Sequence, residues 1–268
     1  MSKWRAVAAS AIGTSHSKSQ APCQDYSKIE ILSDSDGRSV LVIVVSDGAG
    51  SAKKADVGSR LICENFEGFV AAHFSKGYKV ADINSEVAKD WITQTRNALD
   101  AWARQENENI KDYAGTLLAA VLGDSESVFI HLGDGAIVVA DETIEWTWVT
   151  WPQRGEFANT TYFLTDESSS EKVEISIINR RIDEVAIFTD GIEPLVLHYS
   201  SKTVHSPFFD QMFPIVRQSE VDGYNGDLSK SLVAYLGSPH VCERTDDDKT
   251  LVLATRRLKV AQADKRSA

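Results

Sequence analysis

The chain has 268 residues, 43% of them hydrophobic and 25% charged, with a formal net charge of −11. That length allows one large core, and the acidic balance argues against a nucleic-acid surface. No apolar run nears the ~20 residues that span a bilayer and no signal-peptide segment follows Met1. Three scattered cysteines, Cys23, Cys63 and Cys242, offer neither disulfide framework nor zinc spacing, so the chain is read as cytoplasmic.

In chain order, Trp4 to Ser10 reads as a strand, followed by a polar loop from Gly13 to Gln24. Tyr26 to Leu32 and Ser39 to Ser46 read as a hairpin around Ser33-Asp-Ser-Asp-Gly37. The period then changes. Val57, Leu61, Ile62, Phe66, Phe69, Val70 and His73 recur at three and four, which predicts one face of a helix. Asn84 to Asn107 carries a second helical stripe through Val87, Trp91, Ala98 and Trp102.

Strands return at Thr116–Leu122, Val128–Leu132, Ala136–Ala140, Glu145–Trp151, Thr160–Leu164, Val173–Ile177 and Val185–Thr189, a pattern read as an antiparallel meander. Helical segments at Pro207–Arg217 and Leu228–Leu236 precede a last strand at Thr250–Ala254. This order lacks the regular alternation of a doubly wound sheet and predicts an α+β protein with antiparallel sheets. A single domain over residues 1–255 is expected, with 256–268 as a polar, basic, disordered tail.

Within this frame one arrangement recurs. Val40 to Val45 is a continuous β-branched and apolar run that ends in Ser46-Asp47-Gly48. Strands also end at Asp134-Gly135 and Asp190-Gly191, and Asp246-Asp247-Asp248 immediately precedes the last strand. Asp-Gly is a common hairpin turn in its own right, but a turn does not explain the apolar strand before each pair. Carboxylates at several strand ends can converge, and clusters of oxygen ligands suit hard divalent cations. His131, which alternates with Phe129, reads as structural, and Gly115-Thr116 as a strand start beside the site.

The ordered set Cys-Gln-Asp25-Tyr, Ser-Asp47-Gly48-Ala-Gly50, Gly115-Thr116, Leu-Gly133-Asp134-Gly135, Thr-Asp190-Gly191 and Asp247-Asp-Lys-Thr250 resembles the metal-dependent protein phosphatases of the 2C type, the PPM family. The resemblance covers about Trp4 to Ala254. It implies two antiparallel sheets in a sandwich flanked by helices, and a centre of two manganese or magnesium ions with a third, weaker position. Carried over by position, Asp47 bridges the metals, the Gly48 carbonyl ligates one, and Asp190 and Asp247 complete the set. Asp25 acts through metal-held water, and Asp134 with Asp190 matches the third position. The implied reaction is hydrolysis of serine and threonine phosphomonoesters on a phosphoprotein by metal-activated water.

The chain departs from the family pattern in three places. The arginine that grips substrate phosphate in many members is Gln20, the usual Glu-Asp pair is Gln24-Asp25, and the histidine some members carry after the bridging Asp-Gly is Ala49. His16 and Lys18, in the same loop, are the candidates for holding phosphate. A one-residue slip would make Asp248 rather than Asp247 the ligand; Asp246 and Asp248 otherwise read as solvated loop charge. Arg154 to Asn159 is read as a polar flap beside Trp146, Trp148, Trp151 and Tyr162, with those aromatics filling a sheet face as the commoner alternative. The rival function is a weak or inactive phosphatase-like module that binds a cognate kinase or a phosphoprotein. A phosphotransferase with a nucleophilic aspartate is disfavoured, because neither Asp47-Gly-Ala nor Asp190-Gly-Ile supplies an Asp-x-Asp pair.

Overall fold

The computed structural model describes residues 3–140, 145–153 and 161–257. Its strands are β1 (Arg5–Ala11), β2 (Tyr26–Ser33), β3 (Ser39–Ser46), β4 (Leu117–Leu122), β5 (Ser127–Leu132), β6 (Ala136–Ala140), β7 (Thr147–Thr150), β8 (Glu174–Ile178), β9 (Glu184–Phe188), β10 (Leu197–His198), β11 (Thr203–Val204), β12 (Gly223–Tyr224) and β13 (Lys249–Thr255). The helices are α1 (Thr14–Ser19), α2 (Ala55–Ser75), α3 (Ser85–Gln105), α4 (Ser169–Lys172), α5 (Glu193–Val196), α6 (Ser206–Arg217), α7 (Gly226–Leu236) and α8 (Pro239–Cys242). Among the described residues no helix is long and apolar enough to cross a membrane.

One sheet runs β2-β3-β4-β5-β8 and the other β12-β1-β13-β9-β6-β7. The pairings are antiparallel except β1 with β12. The period of two along each strand sorts the apolar residues into three layers. Leu41, Ile43 and Val45 of β3 face Val185 and Ile187 of β9 and Val252 and Ala254 of β13, which forms the core between the sheets. The alternate residues Val40, Val42 and Val44 face Phe66 and Val70 of α2 and Trp91 and Ile92 of α3. On the other outer face Ala186, Phe188, Leu251 and Leu253 meet Phe209 and Phe213 of α6 and Leu232 of α7. Both faces of each central strand are therefore covered, which is why β3 reads as an unbroken apolar run instead of an alternating one.

The layers are helix, sheet, sheet, helix, as the family resemblance implies. The meander expectation does not hold throughout. β4 and β5 pair as a hairpin, but β5 and β6 lie in different sheets. The corner between them is Gly133-Asp134-Gly135, whose glycines sit at φ +114° and +86°, where side chains with a Cβ are strained. Residues 161–164 form no strand. Leu164 instead donates its N–H to the Gly115 carbonyl at 2.9 Å. The loop expected from Gly13 contains the short helix α1, which stops at Gln20 in the left-handed region.

Arg256 lies inside the fold, 1% exposed, and Arg257 pairs with Glu184 at 3.3 Å, so neither belongs to the disordered tail expected from residue 256 onward. Residues 258–268, the remainder of that tail, lie outside the described residues. So does the expected Arg154–Asn159 flap. Of its aromatic neighbours, Trp146 is core, packed at 4.8 Å from Phe209 and 4.6 Å from Phe213. Trp148 and Trp151 form an edge contact at 5.7 Å near the surface.

Candidate metal centre

The ends of β3, β5 and β9, together with the starts of β2 and β13, surround one cleft of about 620 Å³. Its lining includes Asp47, Gly48, Asp134, Asp190 and Asp247. Four carboxylates from four separate strand ends thus meet at one mouth, with Asp25 buried beside it.

Asp47 is held by its backbone. Its N–H donates to Thr116 Oγ1 at 3.0 Å, its carbonyl accepts from the Thr116 N–H at 2.8 Å, and Ser46 Oγ donates to the Thr116 carbonyl at 2.6 Å. Gly48 bridges to Gly115, so β3 and the approach to β4 stay joined beyond the end of β3. Gly115-Thr116 is therefore a brace for Asp47, which a strand start alone would not require. Asp25 Oδ2 accepts from Thr189 Oγ1 at 2.7 Å, and Thr189 Oγ1 in turn accepts from the Thr250 N–H at 2.9 Å. This chain of bonds links Asp25 to the ends of β9 and β13.

The carboxylates burden one another. Burial, then repulsion from Asp25, Asp190, Asp134 and Asp247, pushes Asp47 well above the ordinary carboxylate range. Burial raises Asp25 to about 7 against the opposing hydrogen bonds of Thr189 and Thr250. Asp190 rises to about 7 through burial and the charges of Asp134 and Asp247, and Asp134 to about 6, mainly through burial. One oxygen of Asp25 and one of Asp190 are buried with no hydrogen-bond partner. Clustered carboxylates with orphaned oxygens need positive charge. The cleft's described lining contains no lysine or arginine.

A divalent cation answers both needs, and an all-oxygen donor set suits manganese or magnesium. Among the described residues no three His, Cys, Asp or Glu side chains close into a tight cage. That arrangement fits a cation that keeps several of its waters, as magnesium does.

The Asp246–Asp248 run divides its labour. Asp246 and Asp247 are exposed, and only Asp247 of the three lines the cleft. Asp248 is 2% exposed, and both its oxygens are engaged: Oδ1 by the Gly13 N–H at 2.6 Å, Oδ2 by the Gln24 N–H at 2.6 Å and by His16 Nδ1 at 2.8 Å. Asp248 is thus a clamp on the Gly13–Gln24 loop and not solvated charge. Lys249, also fully buried, donates from Nζ to the Asp247 carbonyl at 2.8 Å. Of the two phosphate-holding candidates, His16 lines the cleft, whereas Lys18 is exposed and outside its lining.

Comparison with known proteins shows the family. The family model for protein phosphatase 2C matches residues 12–237. Serine/threonine-protein phosphatase 3 of Escherichia coli K12 is 34% identical over 254 residues, covering 94% of this chain and 98% of that protein. The chain belongs to the protein phosphatase 2C family. Its class is that of a metal-dependent serine/threonine protein phosphatase.

Among solved structures, a bacterial serine phosphatase aligns with TM-score 0.58 at 15% identity, covering 96% of this chain and 99% of that one. Stp1 of Staphylococcus aureus aligns with TM-score 0.58 at 15% identity, covering 93% and 94%. The catalytic domain of PstP, solved with 2 manganese ions, aligns with TM-score 0.56 at 15% identity, covering 94% and 98%. The family match ends before Asp247, so that residue's assignment rests on its place in the cleft.

The bracing residues Thr116, Thr189 and Thr250 carry no chemistry that sequence reading singles out. Their one signal was position: Thr116 follows Gly115, Thr189 precedes Asp190, and Thr250 closes the Asp-Asp-Lys-Thr motif. His131 is fully buried with neither ring nitrogen bonded, and burial pushes it down to about 4, so it stays neutral and structural.

Proposed function

We propose that Asp47, the Gly48 carbonyl, Asp190 and Asp247 hold two manganese or magnesium ions, and that Asp134 with Asp190 marks a third, weaker position. When bound, such ions lower the pKa of a shared water and neutralise phosphoryl charge. The chain's own part is placement. Asp47, braced by Thr116 at the end of a strand buried on both faces, keeps its carboxylate fixed relative to Asp190. Asp25, held by Thr189 through one oxygen with the other left unbonded, orients water beside them.

The cleft opens to solvent and admits a phosphorylated serine or threonine side chain on a phosphoprotein. Its acidic rim favours substrates with basic residues near the phosphate. Three free cysteines fit a reducing, cytoplasmic setting. The observation that carries this reading is the convergence of four carboxylates from separate strand ends on one cleft with no lysine or arginine among its described lining residues.

The test is hydrolysis of a phosphoserine peptide with and without manganese, by the wild type and by Asp47→Asn. The expected outcome is manganese-dependent turnover in the wild type and a loss on the order of 10³-fold or more in the variant, as when a preorganised electrostatic element is removed. A wild type that binds phosphopeptide yet turns over none with either metal would favour the non-catalytic binding module.

A further inference from the structure

The loop carrying α1 is fastened at both ends by one buried side chain. Asp248 accepts from the Gly13 N–H and the Gln24 N–H, and between those anchors it meets His16 Nδ1 at 2.8 Å. An acceptor already bonded to two backbone N–H groups requires a donor from the ring, so His16 carries its proton on Nδ1, and Nε2 is the remaining nitrogen. The His16 side chain is 20% exposed, and His16 lines the cleft with Asp47, Asp190 and Asp247. Its described lining contains no lysine, arginine, tyrosine or cysteine. His16 is therefore the one nitrogen acid there, and a carboxylate fixes its orientation.

Phosphoserine and phosphothreonine hydrolysis expels an alkoxide, a strong base that leaves poorly without a proton. We propose that His16, oriented by Asp248, is the proton donor to that departing oxygen; this rests on the phosphatase reading above. The donating form of His16 is the imidazolium, which keeps Nδ1–H on Asp248 and carries a second proton, taken from solvent, on Nε2. As the bond from the attacking water oxygen to phosphorus forms and the bond from phosphorus to the seryl or threonyl oxygen breaks, that Nε2 proton moves to the departing oxygen. The product leaves as an alcohol. His16 remains neutral with its Nδ1–H on Asp248 and regains a proton from solvent, while the proton shed by the attacking water goes to solvent. The role differs from holding phosphate: a phosphate grip acts on every phosphomonoester alike, whereas a proton donor matters in proportion to the basicity of the leaving group.

His16→Asn tests the difference, because an asparagine amide retains a donor where Nδ1 lies and can keep the bond to Asp248 while losing the proton donor. With manganese, kcat on a phosphoserine peptide should fall by about 10²-fold or more. On p-nitrophenyl phosphate, whose leaving group departs without a proton, it should fall far less. Across a series of aryl phosphates the variant should show a steeper decline of kcat/KM with leaving-group pKa than the wild type. Equal losses on both substrates, or an unchanged slope, overturn the proton-donor role while leaving the phosphatase reading intact. A wild type without manganese-dependent turnover of either substrate overturns both. An unchanged circular dichroism spectrum and melting temperature of the variant serve as the check that it is folded.

Discussion

Asp25 and Asp190 each leave a carboxylate oxygen buried and unbonded, and each titrates near 7 instead of near 4 in the metal-free protein. The sign of the consequence follows from linkage. Their folded-state pKa values lie above the unfolded ones, so the native state binds the extra protons. The stability they confer is full below about pH 4 and is lost as pH rises through about 7. Asp134, at about 6, adds to the same trend. In EDTA, the melting temperature should therefore fall between pH 5 and pH 8 by several degrees, on the order of 2–4 °C per kcal/mol. Saturating manganese should remove the fall, because the carboxylates are then held ionised by a cation; a flat profile in EDTA would contradict the repulsion described here.

At the scale of elements, the loops between strands place the centre, and they do so through close backbone packing. A Cβ on Gly191 would lie 1.9 Å from the Asp248 carbonyl oxygen, so the turn after β9 and the entry to β13 touch with no room for a side chain. Gly191→Ala should push the 246–248 segment outward, moving Asp247 together with the Asp248 clamp. Manganese affinity measured by calorimetry should weaken by roughly 10- to 100-fold, as when supports behind metal ligands are lost, with the fold retained by circular dichroism.

This packing also explains what the sequence made legible. Long elements such as α2 and β3 declare themselves, because their apolar periods are set by the layers they touch. α3 declares its extent, but its buried face runs through Ala88, Trp91, Thr95, Leu99 and Ala103, and Trp102, read as part of the stripe, is 38% exposed. Asp47, Asp134 and Asp190 declare themselves because each follows such a strand. The switch of β6 to the second sheet did not, since a Gly-Asp-Gly corner and a hairpin turn share one composition. Nor did the roles of Asp247 and Asp248: neighbouring identical side chains are told apart only by what the Gly13–Gln24 loop, more than 200 residues earlier, brings against them.

At the scale of the molecule, β13 joins two unlike ends. Beside Lys249 lies the carboxylate mouth; about 20 Å away, at the rise of ~3.3 Å per residue, Arg256 is sealed in the fold. Its guanidinium donates to the Ile182 carbonyl at 2.7 Å and the Gly123 carbonyl at 2.8 Å, and lies 4.8 Å from the centre of the Trp4 ring. It ties the β4–β5 hairpin of one sheet to the strands of the other. Arg256→Met should leave those carbonyls unpaired and cost about 3 kcal/mol or more. The expected fall in melting temperature is roughly 6–12 °C, with kcat at 20 °C unchanged; a large loss of kcat with normal stability would contradict the separation of the two ends.

That separation leaves charge compensated within the chain at one pole and, among the described lining residues, uncompensated at the other. A phosphomonoester is a dianion, and with the dication stripped away it meets four carboxylates and, among the described lining residues, no lysine or arginine. With the proposed metal site, arrival should be ordered by electrostatics, dication before phosphoester, so chelation should arrest the enzyme at capture of its substrate, ahead of any bond breaking.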